Sequence, residues 1–145
     1  MQRHPGQPQI ATAAAPLRDT QKILQRVKKI ATGRRKKLRS GNLDVWRDWS
    51  WAPKHVEAIH KMLQGTSPGD YAITTGHTHC CRELVELALG AANLDPQEWI
   101  EVSDDPLRPG DLRHSAMDPS RIKQGLGWKA CVELRQLVQG MVDGA

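Results

Sequence analysis

No phenylalanine occurs in this 145-residue chain and tyrosine occurs once, so its aromatic content rests on five tryptophans. Long apolar runs are missing too. No stretch approaches the roughly 20 residues that span a bilayer, so no membrane association is expected. The N-terminus, MQRHPGQPQIATAAAPLRD, lacks the continuous apolar core of a secretory signal. Cysteine is scarce. Three residues, two of them adjacent (Cys80, Cys81), make no secreted disulfide framework, and a reducing cytoplasm is the expected compartment. The single Tyr71 has Thr75 four residues on, so no Tyr-x-x-x-Lys pair is present for proton abstraction. No G-x-x-G-x-x-G or G-x-G-x-x-G loop follows a strand, so nothing would cradle a dinucleotide pyrophosphate. The metal-ligand types are also badly spaced. Zinc favours C-x(2–4)-C and H-x(3–5)-H, whereas His77/His79 form H-x-H and Cys80/Cys81 are adjacent. Metal binding and nucleophilic or acid/base catalysis therefore find no support.

What is present suits one ordinary domain: 26% charged residues, 39% hydrophobic residues and a formal charge of +5. The positive charge is concentrated in Lys28, Lys29, Arg34, Arg35, Lys36, Lys37 and Arg39. Such a cluster, spanning Lys28 to Arg39, suits a small basic nucleic-acid-binding protein. Alternatively it is a solvated helix end and loop, since no aromatics interleave with it.

Apolar periodicity predicts alternating helices and short strands. Residues 1 to 15 read as a flexible lead-in rich in Gln, Pro and Ala. Ile23, Leu24, Val27 and Ile30 predict a helix over 19–32, stopped at Gly33. Leu38 to Val45 is a short strand or loop, and Pro53 opens a helix to Gln64 through Val56, Ile59 and Leu63. A β run at 70–75 leads through the polar turn GHTH into a helix over 81–92, with Leu84, Val85, Leu87 and Ala88 inward. A strand at 99–102, a Pro/Gly loop at 104–111, a short helix begun by Asp118-Pro119, and a last helix over 133–142 complete an α/β chain.

The segment LRSGNLDVWRDWSWAPKHVEAIHKMLQ, from Leu38 to Gln64, carries the most chemistry. Arg47 stands between Trp46 and Trp49, in a polar turn ahead of an amphipathic helix. An arginine held in an aromatic frame suits bidentate recognition of a phosphate, whose two oxygens match the guanidinium fork. The alternative reading makes Trp46, Trp49 and Trp51 core residues and Arg47 a surface charge.

Four stretches taken in order resemble the C-terminal part of the GDP-mannose 4,6-dehydratase family, extended short-chain dehydrogenases/reductases of the epimerase/dehydratase group. They are QKI…VKKIATG (21–33), LRSGNLDVWRDWSWAPKHVEA (38–58), DYAITTGHTHCCRELVELA (70–88) and LRPGDLRHSAMDPSRIKQGLGWKA (107–130). The resemblance implies the substrate-binding part of an extended Rossmann-type fold with an incomplete sheet. Residues 1–18 would be a non-family lead-in and 19–145 the nucleotide-sugar-binding portion. In the family, NADP oxidises C4 of the mannosyl group, water leaves across C5 and C6, and the hydride returns to C6. The glycine loop, the catalytic Thr/Ser and Glu and the Tyr/Lys pair belong to a half that this chain does not carry. The resemblance therefore implies a grip on GDP-mannose without activity alone. NADP is not expected on this fragment, and its partner would be the missing half or a homo-oligomer.

By the same resemblance, Arg47 matches the arginine that contacts the diphosphate, and Lys22 matches the T-x-K-I lysine near the nucleotide. Arg108 matches the arginine reaching ribose and phosphates. Asp111 stands where the dehydratases usually carry a ribose-binding Glu. Leu38 and Gly41 would line the guanine side, and Arg18 matches a cofactor-contacting arginine. Cys80 replaces the family's Ser cap before R-E-x-V-E, Glu133 replaces another Ser, and His55 and His60 replace buried aromatics.

Overall fold

The computed structural model describes residues 10–12, 17–33, 37–66, 68–102 and 112–143. The elements run β1 (Ile10–Thr12), α1 (Leu17–Ala31), β2 (Leu38–Ser40), β3 (Trp46–Arg47), α2 (Ala52–Gln64), β4 (Tyr71–Ile73) and β5 (His79–Cys80). They continue with α3 (Cys81–Ala91), α4 (Pro96–Trp99), β6 (Ile100–Val102), α5 (Ser120–Leu126) and α6 (Leu134–Asp143). The strands form three pairs: β1 with β4 and β2 with β6, both parallel, and β3 with β5, antiparallel. This is the α/β fold with an incomplete sheet that the periodicity and the resemblance lead one to expect. The segment expected to be a flexible lead-in carries β1, in register with β4 from Ile10↔Tyr71 to Thr12↔Ile73.

Among the described residues the interior has two hydrophobic centres. In the first, Ile23, Val27 and Ile30 of α1 meet Leu38, Leu43, Trp49, four residues of α3 (Leu84, Val85, Ala88, Leu89) and Leu134, Leu137 and Val138 of α6. The i, i+4, i+7 spacing in α1 places its three residues on one stripe, as the sequence indicates. Gly33 ends that helix with φ +83°, its N–H donating to Ile30 O at 2.9 Å. In α3, Leu89 takes the fully buried place and Leu87 packs at the edge.

The second centre joins Ala58 and Met62 of α2 to Ile73, Ile122 and Trp128. Here the expected helix is present but its apolar spacing misleads: Val56 is 65% and Leu63 72% exposed. Ala58 is fully buried because its short side chain lets α2 approach closely, and unbranched Met62 fills the remaining gap. Two helix starts use an Asp-Pro pair. Asp95 caps α4, its carboxylate accepting from the Gln97 N–H at 2.9 Å. Asp118 serves α5 from two residues ahead, accepting from the Ser120 N–H at 2.9 Å and its hydroxyl at 2.5 Å. The helix therefore begins at Ser120, one residue later than the proline suggests.

Candidate functional site

Arg47 lies on a ribbon two residues wide. β3 and β5 pair in the register Trp46↔Cys80 and Arg47↔His79. On the other side of β3, the Trp46 N–H donates to Arg113 O (2.8 Å) and the Ser115 N–H donates to Trp46 O (3.1 Å), bridging Trp46 to His114. The half-buried Arg47 folds its Nη1 back onto Trp46 O at 2.8 Å. Three separated segments, around 46, 79 and 114, thus meet at this arginine.

The next residue, Asp48, is 3% exposed and receives a converging set of donors. The Thr75 N–H (2.8 Å) and Gly76 N–H (3.0 Å) donate to its Oδ2, as does the Thr74 hydroxyl, and the Thr75 hydroxyl donates to Oδ1 at 2.7 Å. Gly76 turns the chain here with φ +81°, and a Cβ at that position would stand 2.9 Å from Pro119 Cγ. Sequence reasoning missed Asp48. A polar residue between an arginine and a tryptophan gives no sign of burial when its partners lie 26 to 28 residues away.

The three tryptophans divide. Trp49 is a core residue, Trp51 packs partly against the core, and Trp46 stays 44% exposed with its ring centroid 6.4 Å from that of His114. The frame around Arg47 is therefore one buried and one open indole, fixed mainly by backbone bonds. Trp49 Nε1 is buried without a hydrogen-bond partner.

Of the other expected site residues, Lys22 is an exposed residue of α1, Gly41 is half-buried in the turn after β2, and Arg18 belongs to the first turn of α1. Leu38 is 1% exposed and lies in the first hydrophobic centre, not on an open surface. Arg108 and Asp111 fall outside the described residues. Of the basic cluster, Lys28 and Lys29 close α1, Lys37 and Arg39 flank Leu38, and Arg26 Nη1 donates to Arg39 O at 2.5 Å. Residues 34–36 lie outside the described residues.

The histidines and cysteines serve local structure. His79 Nδ1 lies 3.0 Å from Glu83 Oε2, and Thr78 Oγ1 lies 3.1 Å from His114 Nε2. Cys80 is the N-cap of α3 without a side-chain cap bond, its Sγ donating instead to Leu43 O at 3.1 Å, while Cys81 packs against the core. Among the described residues, no group of three or more His, Cys, Asp or Glu could hold a metal ion. A cleft of about 240 Å³ opens beside Trp49, Thr75, His77 and His79, with Lys129 to Leu134 opposite. That is below the range of roughly 300–1,000 Å³ common for small-molecule sites. Tyr71, whose ring lies 5.7 Å from Arg121 Cζ, packs beside the second centre, and no redox step is assigned to a described residue. Among the described residues, no helix is long and apolar enough to cross a membrane.

Comparison with known proteins gives a consistent picture. The chain is 36% identical over 124 residues to GDP-mannose 4,6 dehydratase 2 of Arabidopsis thaliana, covering 86% of this chain and 33% of that protein. It is 33% identical over 140 residues to the Homo sapiens GDP-mannose 4,6 dehydratase, covering 85% and 38%. It thus spans about a third of the length of the curated relatives it matches. Its fold is similar to that of RMD from Pseudomonas aeruginosa, determined in complex with NADPH, at a TM-score of 0.78 and 19% identity over 94% of this chain and 46% of that one. It is also similar to the Thermus thermophilus UDP-glucose 4-epimerase, determined with NAD, at a TM-score of 0.74 and 23% identity over 95% and 46%. These place the architecture among the Rossmann-type dehydratases and epimerases, and nothing in them supports the nucleic-acid alternative. The family described as GDP-mannose 4,6 dehydratase matches residues 11–141, and the chain belongs to that family.

Proposed function

We propose that residues 19–145 are the nucleotide-sugar-binding portion of a GDP-mannose 4,6-dehydratase and that they hold GDP-mannose by its diphosphate. Arg47 is the principal ligand. Lys22 and Arg108 add positive charge toward the nucleotide, Asp111 accepts from the ribose hydroxyls, and Leu38 and Gly41 line the guanine side. Arg18 faces the cofactor of the assembled enzyme. The observation that carries this reading is the clamped setting of Arg47: its backbone is held in the ribbon and its Nη1 rests on Trp46 O, so the side chain has less freedom to lose when it meets a phosphate. The NADP chemistry of the family requires the glycine loop and the Tyr/Lys pair, which are not among these 145 residues. The chain alone binds and orients the substrate but does not turn it over.

Titration of the purified chain with GDP-mannose, followed by tryptophan fluorescence, tests this. A hydrogen bond to a charged group is worth about 1.5–3 kcal/mol, so Arg47→Ala is expected to weaken binding by roughly ten- to a hundredfold. Equal affinity of the wild type and Arg47→Ala would refute the assignment.

A further inference from the structure

We infer that Asp48 is a positioning residue: its buried carboxylate fills an anion nest on the 74–76 turn and thereby sets Arg47 against His79. The inference deepens the reading of Arg47 as a phosphate ligand and rests on it.

The β3–β5 ribbon is two residue pairs long, too short to hold its own register, since even an isolated two-stranded hairpin is marginal in water. Before Arg47 the pairing is continued by the Cys81 N–H on Val45 O and the Arg82 N–H on Leu43 O, and Trp46 is held by the 113–115 bridge; after Arg47 the link to the partner segment passes through Asp48. Immediately after Arg47, the carboxylate of Asp48 crosses to the turn that precedes β5. There the successive N–H groups of Thr75 and Gly76 converge on Oδ2, the geometry of a backbone nest that selects an anion. Two threonine hydroxyls complete the set. An ionised carboxylate has about four acceptor sites, and four donors engage it.

The far side of the turn is fixed too. The His77 N–H donates to Thr75 Oγ1 at 3.0 Å, and Gly76 sits against Pro119. Two residues past His77 the chain reaches His79, opposite Arg47. The carboxylate is thus an internal anion that closes a loop running from Arg47 through Asp48 and the turn to His79 and back across the ribbon. An amide at position 48 keeps the shape but loses the charge: its single oxygen has two lone pairs for the three donors on Oδ2, and its NH₂ obliges the Thr75 hydroxyl to turn from Asp48 toward His77 O, 3.1 Å away.

The test uses the full chain carrying Asp48→Asn and, separately, Asp48→Ala, with amide hydrogen exchange and GDP titration on each. In Asp48→Asn the amides of residues 46, 79 and 80 are expected to exchange at least about tenfold faster, while those of α3 and α6 keep their protection. GDP affinity should fall about as far as in Arg47→Ala, and the double variant should bind no worse than either single one. Adding formate, a carboxylate small enough to enter the vacated nest, should restore protection at 46, 79 and 80 in Asp48→Ala. A uniform loss of protection in every element would make Asp48 a general stabiliser and overturn the inference. So would wild-type exchange around residues 46 and 79 in Asp48→Asn, or no response to formate. Failure of the wild type to bind GDP would remove the Arg47 reading instead, and the exchange data would still decide the role of Asp48.

Discussion

Replacing Cys80 with serine should stabilise the protein, and the geometry sets the size of the gain. Cys80 has the extended backbone of an N-cap, φ −70° and ψ 141°, but contributes no side-chain cap bond to α3. A free helix start leaves several amides unpaired. Here two of them already have partners: the Cys81 N–H donates to Val45 O at 2.8 Å and the Arg82 N–H to Leu43 O at 3.1 Å. A serine hydroxyl in place of the thiol therefore has chiefly the Glu83 N–H to gain, and full capping value, about 0.5–2 kcal/mol, is not available. The loss of the Sγ–H contact to Leu43 O subtracts little, because a thiol is a weak donor and that carbonyl keeps the Arg82 amide. Cys80→Ser should then add about 0.5–1 kcal/mol, or about 1–4 °C in melting temperature for a domain of this size. Cys80→Ala is the control, since it loses the same thiol without adding an acceptor. Urea unfolding followed by tryptophan emission, with the slope unchanged, measures both. If Cys80→Ser proves no more stable than Cys80→Ala, the view of α3 as an under-capped helix is wrong.

Gly76→Ala must accept both a positive φ and a Cβ 2.9 Å from Pro119 Cγ, so it should cost about 2–4 kcal/mol in denaturant unfolding. Leu89→Ala, at a fully buried position between α1, α3 and α6, should cost about 2–5 kcal/mol by the same assay. Hydrogen bonds from the Ser120 hydroxyl and N–H hold the Asp118 carboxyl below its ordinary range. Its contribution to folding is therefore present above the ordinary carboxyl pKa and is lost as pH falls through the lowered folded value. Asp118→Asn should accordingly flatten the acid limb of a melting-temperature profile, and an unchanged acid limb would show that this cap does not matter.

Local signals were legible in the sequence and long-range ones were not. The apolar stripes of α1, α3 and α6, the Gly33 stop and the Asp118 start all rest on residues within two helical turns of each other. β1 was hidden because three residues between Pro- and Ala-rich flanks carry no usable period, and their partner β4 lies about sixty positions away. In α2 the i, i+3, i+7 pattern of Val56, Ile59 and Leu63 is a good helix signal but points to the wrong face, because burial there is decided by the closeness that Ala58 allows. At the candidate site, the neighbours Trp46 and Trp49 single out Arg47 in the sequence. The residue that anchors its ribbon, Asp48, gained meaning only when the 74–76 turn came beside it.

That turn also explains why the candidate site sits where it does. Trp49, the residue after Asp48, belongs to the hydrophobic centre built by α1, α3 and α6. Ile73, the residue before Thr74, belongs to the centre built by α2 and α5. The Asp48 carboxylate therefore ties the first centre to the turn that leaves the second, and from that turn β5 leads into α3 of the first. Neither strand of the Arg47 ribbon is long enough to persist alone, so the guanidinium acquires its fixed position only when both centres have formed and the donors of the turn have closed on Asp48. On the proposed reading of Arg47, phosphate recognition is for that reason a property of the suture between two packed halves, and a substitution that loosens either half should weaken binding before it unfolds the protein.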